Sequence, residues 1–174
     1  MRKTTKTILA ALVSLPVISA TAAASYRIGA PFPGTVTATT YYSSGAFHGA
    51  VDLSSGKCNY WGVETGLVGS ISWNVTIRTT GIVCYGSGSG NQNEVKHTFA
   101  DDHVFRQWHF IKDADSYDRT CDRCQIGNEG GTGNVTGPHT HMQYDRYGTN
   151  NTSWYSGTSK GEFLSRGETV GYIQ

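Results

Sequence analysis

Glycine interrupts this chain too often for a helical fold. Twenty-two of its 174 residues are glycine, and the segments between them favour Thr, Ser, Tyr and Val over Ala, Leu, Glu and Lys. Glycine inside a helix costs about 1 kcal/mol relative to alanine. β-Branched and aromatic residues suit a pleated surface, and Gly and Ser supply turns. Aromatic residues make up 11% of the chain, too many for a disordered polymer. These features predict an all-β fold, a single domain of antiparallel sheets with long loops and little or no helix.

Strand composition is read at 35–42, 51–53, 62–68, 71–79, 95–99, 104–111 and 139–144, with a closing contribution from 155–173. The glycine–serine run within 85–94 and the polar stretch 112–124 read as long loops. Five glycines in the eleven residues from Gly127 to Gly137 predict a tight, irregular backbone. Residues 25–34, with Pro31 and Pro33 around Phe32, read as an irregular lead-in.

The first 24 residues read as an export signal, and 25–174 as the mature domain. Arg2, Lys3 and Lys6 precede an apolar run over 8–20, and small residues over 20–24 offer cleavage sites. The apolar run is shorter than the roughly 20 residues that span a bilayer. No stable membrane insertion is therefore expected after cleavage, and the location is secreted or periplasmic. Cleavage after Ala24 removes three basic residues and no acidic one, taking the net charge from +1 to −2. That balance argues against nucleic acid as a partner. Four cysteines in an exported chain predict two disulfides; three pairings are open, and Cys58–Cys84 with Cys121–Cys124 is favoured because the second pair stands only three residues apart. A four-thiolate zinc site competes with that reading, but the chain has one CxxC, not two.

Three histidine patterns carry possible chemistry. His48 and Asp52 stand four apart, and imidazole and carboxylate are both zinc ligands. On this pair alone, a surface histidine beside a turn-capping aspartate is the plainer account. His139 and His141 stand two apart, so a strand points both to one face. An exposed strand pair explains them equally well, although Pro138 and the glycine-rich run before it suggest a shaped approach. His109 sits between Trp108 and Phe110. Strand alternation would turn it toward a groove while its aromatic neighbours are buried. A core-edge histidine bonded to backbone explains it too. His97 and His103 have no partner at a telling spacing. HExxH, GxSxG and Walker patterns are absent.

The stretch Gln125-Ile-Gly127-Asn-Glu-Gly130-Gly-Thr132-Gly133-Asn-Val-Thr136-Gly137-Pro138-His139-Thr-His141 resembles the lysostaphin-type, or β-lytic, zinc metallopeptidases. The order HxxxD, isolated histidine, HxH is also similar to theirs. The resemblance covers roughly residues 45–145. Ala50 departs from the family glycine, Cys124 stands where the family has glycine, and Met142-Gln143 replaces its Phe-Glu ending.

The resemblance implies one Zn²⁺ per chain, bound by His48, Asp52 and His141, with His109 and His139 flanking the open coordination position as catalytic groups. It implies hydrolysis of peptide bonds in bacterial peptidoglycan, in cross-bridges or stem peptides at small residues such as glycine. The loops at 85–94 and 112–124 are expected to wall the groove. No separate wall-binding module or long propeptide is expected. The competing reading is a catalytically silent wall-binding or regulatory module on the same scaffold. Oligomeric state is not readable from the sequence.

Overall fold

Residues 25–174 are described by the computed structural model, so the export segment lies outside the described residues. Thirteen strands follow in chain order: β1 (Tyr26–Gly29), β2 (Gly34–Ala38), β3 (Val51–Ser54), β4 (Gly62–Glu64), β5 (Ile71–Thr76), β6 (Glu94–Thr98), β7 (His103–Trp108), β8 (Arg119–Cys121), β9 (Gln125–Asn128), β10 (Thr140–Arg146), β11 (Thr149–Asn150), β12 (Phe163–Leu164) and β13 (Thr169–Ile173). Single 3₁₀ turns at Ala100–Asp102 and Ser153–Tyr155 are the only helical pieces among the described residues. The fold is all-β, and every strand pairing is antiparallel.

One nine-stranded sheet dominates, in the order β12-β2-β3-β10-β7-β6-β5-β8, with β11 added to β10. Two small ribbons, β1–β13 and β4–β9, complete the fold. Period-two alternation gives the large sheet two different faces. Val51 and Leu53 on β3, Met142 and Tyr144 on β10, and Phe105 on β7 are buried in the core. Ile28, Val63, Leu67, Ile126, Val170 and Ile173 from the ribbons and their links join the same cluster. Burying each such side chain contributes roughly 1.5–3 kcal/mol. Gln107 is also fully buried, but its amide accepts from the Gly66 N–H at 2.8 Å and donates to the Glu64 carbonyl at 3.1 Å. It thereby pins the segment after β4 onto the sheet. The opposite parity carries Asp52, Trp108, His141, Gln143 and Asp145, and that face holds the site.

The cysteines pair as Cys58–Cys84 and Cys121–Cys124, with Cα separations of 5.6 and 5.8 Å. Two sequence expectations need correction. The lead-in contains a strand, because β1 finds its partner in β13, more than a hundred residues away. The strand expected over 35–42 ends at Ala38, where register slips against β3 and the chain leaves as a loop.

Candidate metal centre

Asp52, His141 and Trp108 lie side by side across three strands. Asp52 faces His141 in the β3–β10 register, and His141 faces Trp108 in the β10–β7 register. His48 reaches them from the loop before β3. Its backbone N–H donates to the Thr40 carbonyl at 2.9 Å. His48, Asp52 and His141 are all buried.

Hydrogen bonds on the outer edge of each ring decide which nitrogen faces inward. His48 donates from Nδ1 to the Thr39 carbonyl at 2.6 Å, which leaves a lone pair on Nε2. The Gln143 amide N–H donates to the Asp145 carboxylate at 2.6 Å, so its oxygen faces His141 Nε2 at 3.1 Å. His141 therefore carries its proton on Nε2 and a lone pair on Nδ1. His48 Nε2, His141 Nδ1 and Asp52 Oδ1 then form a triangle with edges of 3.1, 3.0 and 3.1 Å. Three acceptors converge with no proton between them while both rings are neutral.

That arrangement requires positive charge at its centre. Burial opposes ionisation of Asp52, yet hydrogen bonds from His141 and His48, available once a ring takes a second proton, and the charge of His141 and His139 hold its carboxyl well below the usual range. Burial likewise opposes charge on His48, but the adjacent Asp52 and the Thr39 carbonyl raise its pKa. A divalent cation supplies the same charge. Tetrahedral zinc with bonds of about 2.0–2.1 Å spaces its ligands about 3.3 Å apart, close to the edges of this triangle. Two imidazoles, a carboxylate and three outer hydrogen bonds therefore fit zinc in chemistry and spacing.

His109 and His139 lie beside the triangle, with their rings 4.8 Å apart. His109 donates from Nδ1 to the Thr132 carbonyl at 2.7 Å, and His139 from Nδ1 to the Gly137 carbonyl at 2.9 Å. While the rings are neutral, each has its lone pair on Nε2, and that of His139 lies 3.8 Å from Asp52 Oδ2. Burial and the neighbouring histidines push the pKa of His109 down to about 3.

His109 faces the cleft and Phe110 is buried as expected, but the alternation that would bury Trp108 with it does not occur. Trp108 is not buried in the core: it stacks on His141 at 4.5 Å with 5° between planes, and it lines the same cleft as His109. The reason is local. β7 ends at Trp108, and His109 takes a left-handed φ of 79°, which turns its side chain back toward the site. The Asn93 carbonyl accepts the His109 N–H at 3.1 Å, and the His109 carbonyl accepts the Thr132 N–H at 3.2 Å. Gly130 permits this turn, since a Cβ there would lie 3.0 Å from the His109 carbonyl and 2.5 Å from Ile111 Cγ1.

The five histidine and aspartate positions singled out in the sequence border a cleft of about 720 Å³ or its floor. Ser89, Gly90 and Gln92 form one wall, as expected of the 85–94 loop, and Asn134, Val135 and Thr136 form another. The 112–124 loop takes no part in this lining. Asp113 binds Gln125 and Asp118 binds the Val75 N–H, which fold that loop against β9 and β5. His97 and His103 also lie outside the lining. Sequence reading missed Tyr42, whose ring lies 4.4 Å from His48 at the cleft, and the Gln143–Asp145 pair. The alternate polar positions 141, 143 and 145 on a strand were the available signal for the latter.

No protein-family model matches this sequence, and no curated protein matches it either. Among solved structures, a zinc-containing peptidase from Vibrio cholerae matches with a TM-score of 0.40 and 18% identity. The match covers 72% of this chain and 39% of that one, so this chain spans well under half of that peptidase. No helix among the described residues is long and apolar enough to cross a membrane.

Proposed function

We propose that this protein is an exported zinc endopeptidase that cleaves peptides of the bacterial cell wall at small, uncharged residues. The observation that carries the reading is the triangle of acceptors formed by His48, Asp52 and His141, with two further imidazole Nε2 atoms beside it. Two neutral imidazoles and one carboxylate leave a bound zinc with net positive charge and room for a fourth ligand. Zinc bound there supplies Lewis acidity for a peptide carbonyl and lowers the pKa of water toward neutrality.

The remaining chemistry belongs to the chain's own side chains. Burial pushes the pKa of His109 down to about 3, so at working pH its Nε2 is an unprotonated, weakly basic acceptor for the attacking water and takes a proton only transiently during the reaction. The burial that keeps it neutral makes that proton strongly acidic and ready to pass to a departing amine. His139 faces the same space, and its unprotonated Nε2 accepts from the attacking water on the other side. Apart from Asp52, the cleft lining contains no aspartate, glutamate, lysine or arginine. Neutral peptides therefore enter without leaving a buried charge unpaired. Gly90 and Ser89 in the wall let a backbone approach closely, which suits glycine-containing bridges.

The test measures zinc in the purified mature protein together with the clearing of a bacterial wall suspension. One zinc per chain with clearing is expected, both lost in His141→Ala. His109→Ala and His139→Ala should keep zinc and lose clearing. A parent that binds no zinc would overturn the ligand assignment. Zinc without clearing in the parent would favour a silent wall-binding module. Digestion of a glycine-rich protein alongside purified wall separates a general protease from a wall enzyme.

A further inference from the structure

We propose that Gln143, Asp145 and Arg106 form a positioning relay that presents His141 to the metal through Nδ1. This inference rests on the zinc reading above and concerns residues outside the ligand set. Metal-bound histidines generally donate their second N–H to a carboxylate, carbonyl or water. Here the group next to His141 is a neutral amide, and the negative charge stands one side chain further out.

The geometry is a closed circuit on the outer face of the sheet. Residues 141, 143 and 145 share that face of β10 by strand periodicity. His141 Nε2–H donates to Gln143 Oε1 at 3.1 Å, and Gln143 Nε2 donates to Asp145 Oδ1 at 2.6 Å. Arg106 pairs with Asp145 Oδ2 at 2.9 Å and with Glu94 at 3.1 Å. Trp108 Nε1 donates to the same Glu94 oxygen at 3.1 Å, and the Trp108 ring stacks on His141. One set of contacts thus holds the ligand ring by its edge and by its face.

The circuit has a direction. An ionised carboxylate accepts hydrogen bonds and cannot donate them. Asp145 therefore fixes the Gln143 amide with nitrogen toward itself and oxygen toward His141. That oxygen in turn fixes the imidazole proton on Nε2 and leaves the lone pair on Nδ1. Arg106 holds Asp145 in place from β7, and its second partner Glu94 gives the circuit a net charge of −1. Asp145, Glu94 and Arg106 side chains are 11%, 18% and 25% exposed, so water screens this charge only in part.

The experiment compares zinc affinity, by competition with a chelating dye, and the visible absorption of the cobalt-loaded protein. Gln143→Leu removes the acceptor and should weaken zinc roughly 10- to 100-fold, the range for lost outer partners of metal ligands, with an altered cobalt spectrum. The double variant Gln143→Glu with Asp145→Asn reverses the polarity of the second link but keeps an acceptor against His141. It should restore the parent's affinity and spectrum. Parent-like zinc binding in Gln143→Leu, or no rescue in the double variant, overturns the relay. So does a loss of zinc matched by an equal fall in the urea midpoint of the metal-free protein, since that is a packing effect. A parent that binds neither metal would instead overturn the zinc reading on which the relay rests.

Discussion

Asn93→Asp exchanges one amide NH₂ for an oxygen and leaves the shape of the side chain unchanged. Asn93 is fully buried, and its amide is saturated on both sides. Its oxygen accepts from the Arg78 and Thr79 N–H groups, both at 2.9 Å. Its nitrogen donates to the Thr79 and Phe110 carbonyls, also both at 2.9 Å. Aspartate keeps the first two bonds but turns the other two into oxygens facing oxygens. A buried carbonyl left without a donor costs about 1–3 kcal/mol; the Phe110 carbonyl keeps a long bond from the Thr132 hydroxyl at 3.5 Å and the Thr79 carbonyl is only part-buried, so the variant should lose about 2–4 kcal/mol near neutral pH. That is a large part of a typical stability of roughly 5–15 kcal/mol. The loss should be smaller in acid. The buried carboxyl takes its proton above the usual pKa, and a protonated carboxyl restores one of the two donors. The variant's stability is therefore retained at low pH and falls as pH rises through that raised pKa. Urea unfolding of parent and variant at about pH 4.5 and 7.5 measures both effects from the midpoint at constant m. The Asn93 backbone also holds the His109 N–H and donates to Thr132, so clearing of wall should fall with the stability. A variant within about 0.5 kcal/mol of the parent at neutral pH, the range of an ordinary surface substitution, would contradict this account. A difference from the parent that does not change with pH would contradict it too.

Glu129→Gln tests a second buried group. Burial raises the Glu129 carboxyl above its usual 4.5, against the hydrogen bonds from Ser55 and Ser54. A raised folded pKa means stability present below that value and lost as pH rises, so the variant should gain on the parent between acid and neutral pH in a series of urea midpoints. Gly131→Ala should destabilise by about 1–3 kcal/mol through overpacking, because a Cβ at 131 runs into the Cys84 carbonyl; the same midpoints report it. Chelation of the zinc-loaded protein removes about 4 kcal/mol if free zinc stood near a thousandfold its Kd. A thermal scan should then show Tm lower by roughly 8–16 °C for a chain of this size, and an unchanged Tm would count against a folded-state metal site.

The strands were legible where alternation was strong. Val51-Asp52-Leu53 and His141-Met142-Gln143-Tyr144 alternate between core and site, and the structure makes strands of both. β1 was not legible, since Tyr26–Gly29 has little pattern of its own and exists through its pairing with β13. The turn of His109 into the cleft beside Trp108 was also hidden. Strand reasoning assumes a continuous extended backbone, and the left-handed residue His109 ends it. That conformation is set by Asn93, Thr132 and Gly130, none of them adjacent to His109 in the chain. The 112–124 loop was placed at the groove by its length and polarity, but its aspartates bind β5 and β9 instead.

The sequence fixes the kinds of donor atom available to this protein: two spaced pairs, His48 with Asp52 and His139 with His141, and a lone His109 among aromatics. It does not say which nitrogen of each ring carries a proton, and that choice separates a ligand from a hydrogen-bond donor. An imidazole has two chemically similar nitrogens, and the partner of one determines the role of the other. In this fold the partners are Thr39 for His48, Thr132 for His109, Gly137 for His139 and Gln143 for His141. Strand pairing then brings the free nitrogens of His48 and His141 onto one carboxylate from segments some ninety residues apart. Packing places both the partners and the pairs, so the acceptor triangle arises only once the sheet has formed.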